Sequence, residues 1–142
     1  MTPDTERHSL AGKVALITGG ARRVGAAIAR ELHAAGANVV IHHHRSIEAA
    51  QTLCADLEQA RRDSTLRLSG DLLDTASLGN LVEDARRHFG KLDILINNAS
   101  TFYPTPVGEI TLEHWDALIG SHLTAPLFLS QAAAPALRLT NG

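Results

Sequence analysis

The chain has 142 residues, of which 44% are hydrophobic and 20% are charged, which suits one globular domain. A formal net charge of −2 gives no general attraction to nucleic acid or to an acidic membrane, and no apolar run is long enough to cross a bilayer. The single cysteine, Cys54, excludes an internal disulfide. We therefore expect a soluble, cytoplasmic protein that binds neither nucleic acid nor membranes.

Short apolar runs and helical stripes alternate along the sequence. We predict strands at residues 13–17, 38–42, 65–69 and 92–96. Apolar side chains recur at helical spacing between these strands, and Gly36 is expected to end the first helix. The predicted inner faces are, in chain order, Val24, Ile28, Leu32 and Ala35; then Ile47, Ala50, Leu53, Cys54 and Leu57; then Leu78, Leu81, Val82, Ala85 and Phe89.

The helices of the second half carry signals for their ends. Asp74 can cap the third helix, and Thr111 can cap a fourth helical segment, which continues toward Leu137. Pro126 and Pro135 predict a kink or a break within that last stretch. The beginning of the fourth segment contains Leu112, Trp115 and Leu118.

The resulting order of four strand–helix units predicts an α/β fold with a doubly wound parallel sheet of the Rossmann-like kind. In such a fold the ligand site lies beyond the carboxyl ends of the strands. Four segments lie at these ends in this chain, namely residues 18–25, 42–46, 70–72 and 97–103.

The first of these segments is typical of a phosphate-binding turn. Gly19 and Gly20 allow a sharp turn before a helix N-terminus, whose free N–H groups attract anions, and Gly25 allows that helix to pack close to the sheet. The usual GxGxxG spacing is absent. Arg22 and Arg23 place two cations beside the expected pyrophosphate, or alternatively they are only solvated side chains at a helix start.

The second segment, HHHRS, predicts the kind of cofactor. Arg45 and Ser46 stand where NAD-preferring proteins usually carry a carboxylate for the ribose 2′-hydroxyl. A guanidinium and a hydroxyl suit a phosphate instead, so we predict NADP(H). We do not expect a metal site at His42, His43 and His44, because adjacent strand residues point to opposite faces. One or two of these histidines are expected to line the adenosine pocket.

The third segment offers an acidic residue. Asp71 can accept a hydrogen bond from the adenine amino group, with Leu72 against the ring. Alternatively, Asp71 is a cap of the next helix.

The fourth segment, NNASTFYPTP, combines amides with aromatic side chains. Asn97 and Asn98 can tie the strand end to neighbouring backbone. Ser100, Phe102 and Tyr103 follow on a loop bounded by prolines, and an aromatic face at this position suits a flat substrate.

These segments carry a family resemblance. Thr18 and Gly19 with Arg23 and Gly25, together with the NNA triplet that begins at Asn97, resemble the short-chain dehydrogenase/reductase family. A finer resemblance, to pteridine reductases, lies in GGARRVG, HHHRS and NNASTFYPTP, and it covers essentially the whole chain. It implies NADPH-dependent reduction of a pterin such as dihydrobiopterin or dihydrofolate.

The resemblance also implies individual roles. Arg23 would touch both the cofactor phosphate and the pterin, Ser100 would contact cofactor and substrate, and Phe102 would sandwich the pterin against the nicotinamide. The expected cofactor-binding residues are Gly19, Arg22, Arg23, Val24, Gly25, His43, His44, Arg45, Ser46, Asp71, Leu72, Asn97, Ala99 and Ser100.

The sequence departs from the family at its catalytic pair. The family's Tyr-x-x-x-Lys motif is missing, because the only tyrosine is Tyr103 and residue 107 is Val107. We therefore assign no catalytic residue. His122 stands where many members carry an asparagine that supports the catalytic lysine, and a histidine can still donate or accept a hydrogen bond.

The resemblance implies a longer sheet of order 3-2-1-4-5-6-7. We expect residues 1–142 to be the NADP-binding, N-terminal half of a reductase, with strand four as an exposed edge and with Leu123, Leu127 and Leu137 uncovered. Such a chain would be marginally stable alone, and the full-length protein would be a homo-oligomer, a tetramer by resemblance. The alternatives are a carbonyl reductase of other specificity and a non-catalytic nucleotide-binding or interaction fragment.

Overall fold

Strands and helices alternate through residues 9–142, which are the part of the chain that the computed structural model describes. The strands are β1 (Val14–Ile17), β2 (Asn38–His43), β3 (Thr65–Ser69) and β4 (Ile94–Ile96). The α-helices are α1 (Arg23–Ala34), α2 (Ile47–Ala60), α3 (Leu78–Phe89), α4 (Leu112–Ile119) and α5 (Ala125–Thr140); a 3₁₀ turn (Thr75–Ser77) precedes α3, and a π-helical turn (Gly120–Thr124) joins α4 to α5.

The four strands form one parallel sheet of order β3-β2-β1-β4. In its centre, Leu16 lies opposite Val40 on one side and Leu95 on the other. This arrangement confirms the predicted α/β fold and places β4 at an edge of the sheet. The predicted strand bounds agree with the structure to within two residues, and those of β3 agree at both ends.

Each face of the sheet has its own apolar core. Leu16 and Val40 point to the face covered by α3 and α5. Ile17 and Ile41, the next residues along the same strands, point to the face covered by α1 and α2. Because neighbouring strand residues alternate between faces, strands buried on both sides must be apolar throughout, as these sequences are.

The inner face of α1 differs from the prediction at Val24, whereas Ile28 and Leu32 pack against the core as predicted. Val24 is 66% exposed, and the buried positions of this helix are Gly25, Ala29 and His33. Gly25 and Ala29 are small and let the helix approach the sheet closely. The buried positions of α1 therefore lie one residue after the more apolar Val24, Ile28 and Leu32. Ile47, which was predicted to be inward on α2, is also exposed.

The helix ends confirm one predicted cap and contradict another. Thr111 Oγ1 accepts a hydrogen bond from His114 N at 3.2 Å, and His114 Nδ1 accepts one from Thr111 N, which makes a capping box. Asp74 makes no side-chain cap; it precedes the 3₁₀ turn, and α3 begins only at Leu78. Gly36 follows the end of α1 with φ of 104°, as predicted for a glycine at that position.

The break predicted near the prolines appears as the π-helical turn, which ends directly before Ala125 and Pro126, while Pro135 lies inside α5. Leu123 and Leu127 are exposed, as expected, but Leu137 packs against the core on the α3 side, so that part of the prediction was wrong. Within residues 9–142, none of the helices combines the length and the apolar character that crossing a membrane requires.

Candidate functional site

A cleft of about 920 Å³ opens at the carboxyl ends of the strands. It brings together residues from all four segments that the sequence placed there. Of the predicted binding residues, those that line it are Gly19, Arg22, Arg23, Val24, Gly25, His43, His44, Arg45, Ser46, Asp71, Leu72, Ala99, Ser100 and Phe102. Asn97 does not line it, and its side-chain amide donates to Ser130 Oγ at 3.1 Å instead.

The end of β1 is hydrogen-bonded to the end of β4. Thr18 Oγ1 accepts the N–H groups of Asn98 and Ala99, both at 3.0 Å. In return, the Asn98 amide donates to the carbonyls of Thr18 at 2.9 Å and Gly19 at 3.2 Å. The predicted anchoring role is therefore confirmed for Asn98, and these bonds hold the first turn in a fixed position against the fourth loop.

Two glycines allow the first turn to lie this close. Gly19 has φ of 60°, and a Cβ there would lie 2.9 Å from the Cα of Ala99. A Cβ on Gly25 would lie 2.6 Å from Asn98 Nδ2 and would overlap the carbonyl oxygen of Gly19. Both predicted roles, the sharp turn and the close packing of helix and sheet, are thus confirmed.

The N-terminus of α1 faces this cleft with unused hydrogen-bond donors. The first N–H groups of an α-helix have no acceptor within the helix. Here the N-cap residue, Arg22, provides no side-chain acceptor, and the first turn contains no acidic residue. Arg23, the first residue of the helix, has φ of 49°, a left-handed conformation that is unusual for a residue other than glycine. The arrangement can bind an anion such as a phosphate.

His42 connects three strand ends, and both of its ring nitrogens are used in hydrogen bonds within the protein. Its Nδ1 accepts the N–H of Gly19 at 3.2 Å, and its Nε2 donates to the carbonyl of Gly70 at 2.9 Å. Burial lowers the pKa of His42, although the bond to Gly70 opposes this, and the neutral ring is the form that fits both contacts. The described residues contain no cluster of three or more potential metal ligands.

The second turn presents polar groups that make few hydrogen bonds within the described part of the chain. Ser46 is the N-cap of α2, yet its hydroxyl makes no cap bond. His43 is buried in the cleft wall, its Nδ1 has no hydrogen-bond partner among residues 9–142, and burial lowers its pKa. His44 and Arg45 are exposed at the same end of the cleft.

The third turn excludes one of the two interpretations of Asp71. Its Oδ1 accepts the N–H of Leu73 at 2.9 Å and so caps a turn rather than the helix α3. The helix-cap alternative was therefore wrong. The second carboxylate oxygen remains available at the cleft, beside Leu72.

The opposite end of the cleft is formed by the fourth loop and the π-helical turn. Phe102 is 87% exposed, while Ser100 Oγ lies 3.0 Å from His122 Nε2. Tyr103 is half-buried, with its ring centroid 5.4 Å from that of His114, and it does not line the cleft. The predicted ability of His122 to form hydrogen bonds is confirmed, whereas its support of a catalytic lysine stays a prediction.

The charges around the cleft favour an anionic ligand. Arg22, Arg23 and Arg45 all line it, and none of them forms an ion pair with a carboxylate of residues 9–142. Asp71 is the one acidic side chain among the lining residues.

Residues 13–142 match the family described as short chain dehydrogenase. The chain belongs to this family. A solved short chain dehydrogenase of Burkholderia cenocepacia in complex with NADP is 41% identical, with a TM-score of 0.87 over 90% of this chain and 52% of that one.

Curated relatives carry several names. Pteridine reductase 1 of Leishmania tarentolae is 40% identical over 85% of this chain and 53% of its own length. The short chain dehydrogenase/reductase dpfgG of Gibberella zeae is 42% identical over 97% of this chain and 52% of its own length. The chain thus spans about half the length of the curated relatives it matches, and the degree of identity alone does not select a substrate.

Three lining residues were not predicted from the sequence as parts of the site: Leu73, Ala117 and Ser121. Ala117 and Ser121 belong to α4 and to the π-helical turn, which fold back over the strand ends. No local pattern marks them, because their position depends on where the chain places that helix. Leu73 follows Asp71 and Leu72 directly, so extending the third segment by one residue would have found it.

Proposed function

We propose that this chain is the NADP(H)-binding half of a short-chain dehydrogenase/reductase that reduces a pterin. The NADP(H) assignment rests on the second turn, where Arg45 forms no ion pair with a carboxylate of residues 9–142 and the Ser46 hydroxyl makes no cap bond. The observation that supports the pterin part is the exposed aromatic ring at the far end of the same cleft. The substrate is accordingly a small molecule, and the expected homo-oligomer of the full-length protein stays a prediction.

The two ends of the cleft suit the two ends of the dinucleotide. Arg45, with Ser46 and His44, offers donors for the adenosine 2′-phosphate, and of residues 9–142 those that line the cleft at this turn include no carboxylate that could accept a free 2′-hydroxyl. The N-terminus of α1 and Arg23 would hold the pyrophosphate. Asp71 and Leu72, which line the same cleft after the third strand, would hold adenine.

The nicotinamide end would also receive the substrate. Phe102 exposes a flat face there, and Arg23 and Ser100 line the same cleft with hydrogen-bonding groups. A pterin is flat and has donors and acceptors along one edge, so stacking and hydrogen bonding would both be used. Similarity to the Leishmania pteridine reductase supports this assignment.

The residues that line the cleft would bind and orient the cofactor and the substrate, and none of them is assigned the delivery of the proton. NADPH would supply the hydride when bound. Tyr103, the only tyrosine of the chain, lies outside the cleft lining, so no residue of this half is assigned to acid catalysis.

Titration of the purified chain with NADPH and NADH tests the cofactor assignment. A charge-assisted bond to the 2′-phosphate contributes about 1.5–3 kcal/mol, so Arg45→Ala should weaken NADPH binding by about 10- to 150-fold and leave NADH binding nearly unchanged. Arg62→Ala is the matched control, because Arg62 is an exposed arginine outside the cleft lining. Equal losses for both cofactors would contradict the assignment.

Binding of oxidised biopterin to the NADPH-loaded chain tests the substrate class. Phe102→Ala should weaken this binding by about 5- to 150-fold, since stacking of a base on an aromatic ring contributes about 1–3 kcal/mol. The alternative is a carbonyl reductase with another substrate, and it is kept because dpfgG, whose name gives no substrate, is as similar to this chain as the pteridine reductase. NADPH binding without biopterin binding would favour that alternative, and absence of all nucleotide binding would exclude the binding-fragment hypothesis as well.

A further inference from the structure

Ser100 and His122 form a hydrogen-bonded pair in the wall of the cleft. Ser100 belongs to the loop after β4, whereas His122 belongs to the π-helical turn between α4 and α5. Their contact joins Ser100 Oγ to His122 Nε2 at 3.0 Å, across 22 residues of sequence. Ser100 itself lines the cleft, together with Phe102 and Arg23.

The other ring nitrogen determines which atom of the pair donates. His122 Nδ1 lies 2.9 Å from the carbonyl oxygen of Leu118, which can only accept. Ser121 Oγ lies 3.2 Å from the same nitrogen, and its hydroxyl proton is directed to the Leu118 carbonyl as well. The Leu118 carbonyl therefore requires a proton on Nδ1, and the Ser121 hydroxyl, which can donate or accept, is compatible with it. In a neutral imidazole Nε2 is then an acceptor, so Ser100 must donate to it.

A serine hydroxyl has one proton and two acceptor positions. When the proton of Ser100 is given to His122, only acceptor positions remain for a ligand in the cleft. We propose that His122 is a positioning residue that makes Ser100 a hydrogen-bond acceptor toward the substrate, so that this end of the cleft selects a flat heterocycle with an N–H donor over one with a carbonyl at the same place.

The side chain of Arg23 complements this selection. A guanidinium has donors only, and Arg23 lines the same cleft. One acceptor and one donor group thus face the ligand from different elements, and an amino-substituted ring with neighbouring ring nitrogens satisfies both. The inference rests on the proposed pterin function for the identity of the heterocycle, but the direction of the Ser100 hydrogen bond does not depend on it.

Two pteridines that differ at one position test the selection. Pterin carries an amino group at position 2, where lumazine carries a carbonyl. The NADPH-loaded chain should bind pterin about 2- to 12-fold more tightly than lumazine, since the wrong group loses one hydrogen bond.

Substitution of His122 should change this ratio and not merely the affinities. The ammonium of His122→Lys can only donate, so Ser100 would keep its own proton and one acceptor position, could either donate to or accept from the ligand, and the preference for pterin should be lost. The amide of His122→Gln can serve either way, and the ratio should approach one. Ser100→Ala should remove the preference in every background. A purely structural role of His122 would weaken both ligands equally, and an unchanged ratio in the lysine and glutamine variants would overturn the inference.

The protonation pattern of the ring can be measured without any pteridine. Nitrogen-15 NMR of the labelled, NADPH-bound chain should show His122 protonated at Nδ1 and unprotonated at Nε2, with the signals assigned by their loss in His122→Gln. A proton on Nε2 would overturn the inference. Absence of pterin binding together with the expected ring signals would instead count against the proposed substrate and leave the orientation of Ser100 established.

Discussion

Replacement of Gly25 by alanine tests the close contact on which the cofactor site is built. The added Cβ would lie 2.6 Å from Asn98 Nδ2 and would overlap the Gly19 carbonyl, whereas ordinary contacts of this kind lie at 3.4–4 Å. The helix or the fourth loop must therefore move by about 1 Å, because the neighbouring atoms belong to backbone and to a side chain that is already hydrogen-bonded.

The magnitude follows from what that movement breaks. The Asn98 amide would lose its bonds to the carbonyls of Thr18 and Gly19, at about 1 kcal/mol each. Overpacking adds about 1–3 kcal/mol, and the better helix propensity of alanine returns about 1 kcal/mol. We expect the free energy of unfolding to fall by about 2–4 kcal/mol.

Gly79 supplies the matched control. It lies in the first turn of α3, is exposed, and a Cβ there would meet nothing within 4 Å. The same substitution at Gly79 should raise stability by about 0.5–1 kcal/mol. Urea denaturation of both variants, with and without NADPH, measures the difference. If Gly25→Ala were as stable as the wild type, or if the two substitutions changed stability equally, the reasoning from close packing would be refuted.

Three further changes should have measurable effects. Burial alone would raise the pKa of Asp93, but the hydrogen bond from Val14 N–H and two nearby lysines outweigh burial and lower that pKa. The Asp93 carboxylate therefore stabilises the fold at neutral pH, and this stabilisation is lost as the pH falls from about 5 through the lowered pKa. Asp93→Asn should flatten the dependence of the unfolding free energy on pH in that acidic range. Burial lowers the pKa of His42, so the histidine of the unfolded chain is protonated at a higher pH than that of the folded chain. The free energy of unfolding should therefore fall as the pH drops below about 6.5. His42→Gln should remove part of this pH dependence, as measured by urea titrations at several pH values. Arg23→Gly should raise the stability of the ligand-free chain, by about 1 kcal/mol, and should weaken NADPH binding in the same samples; a loss of stability would contradict the assigned backbone strain.

Much of the fold follows from the sequence because each element has a clear period. The buried strands are apolar on both faces, and α3 has its predicted inner residues in place. The stripe on α1 was misplaced at Val24, since hydropathy favours valine over glycine, while the sheet favours the residue that allows the closest approach. Asp74 was misplaced as a cap because a 3₁₀ turn intervenes before α3.

The site was predictable where it is built from loops that directly follow strands. Its remaining features come from contacts between distant segments. The ring of His42 is used to connect the turn at Gly19 with the carbonyl of Gly70, and no neighbouring residue in the sequence indicates this. The pairing of Ser100 with His122 depends on the π-helical turn, whose formation the two flanking segments do not signal beyond the presence of Pro126.

Arg23 carries two unfavourable features at once, and together they argue for an anionic ligand. Its left-handed backbone costs about 1 kcal/mol relative to glycine, which would adopt φ of 49° readily. Its positive charge also lies at the N-terminus of α1, where the helix dipole disfavours cations. No carboxylate of residues 9–142 offsets either cost. A phosphate at the free N–H groups of the helix would reverse the electrostatic term and give the guanidinium a partner. The strained arginine is therefore understandable as part of a binding site, and it has no evident purpose in the ligand-free fold.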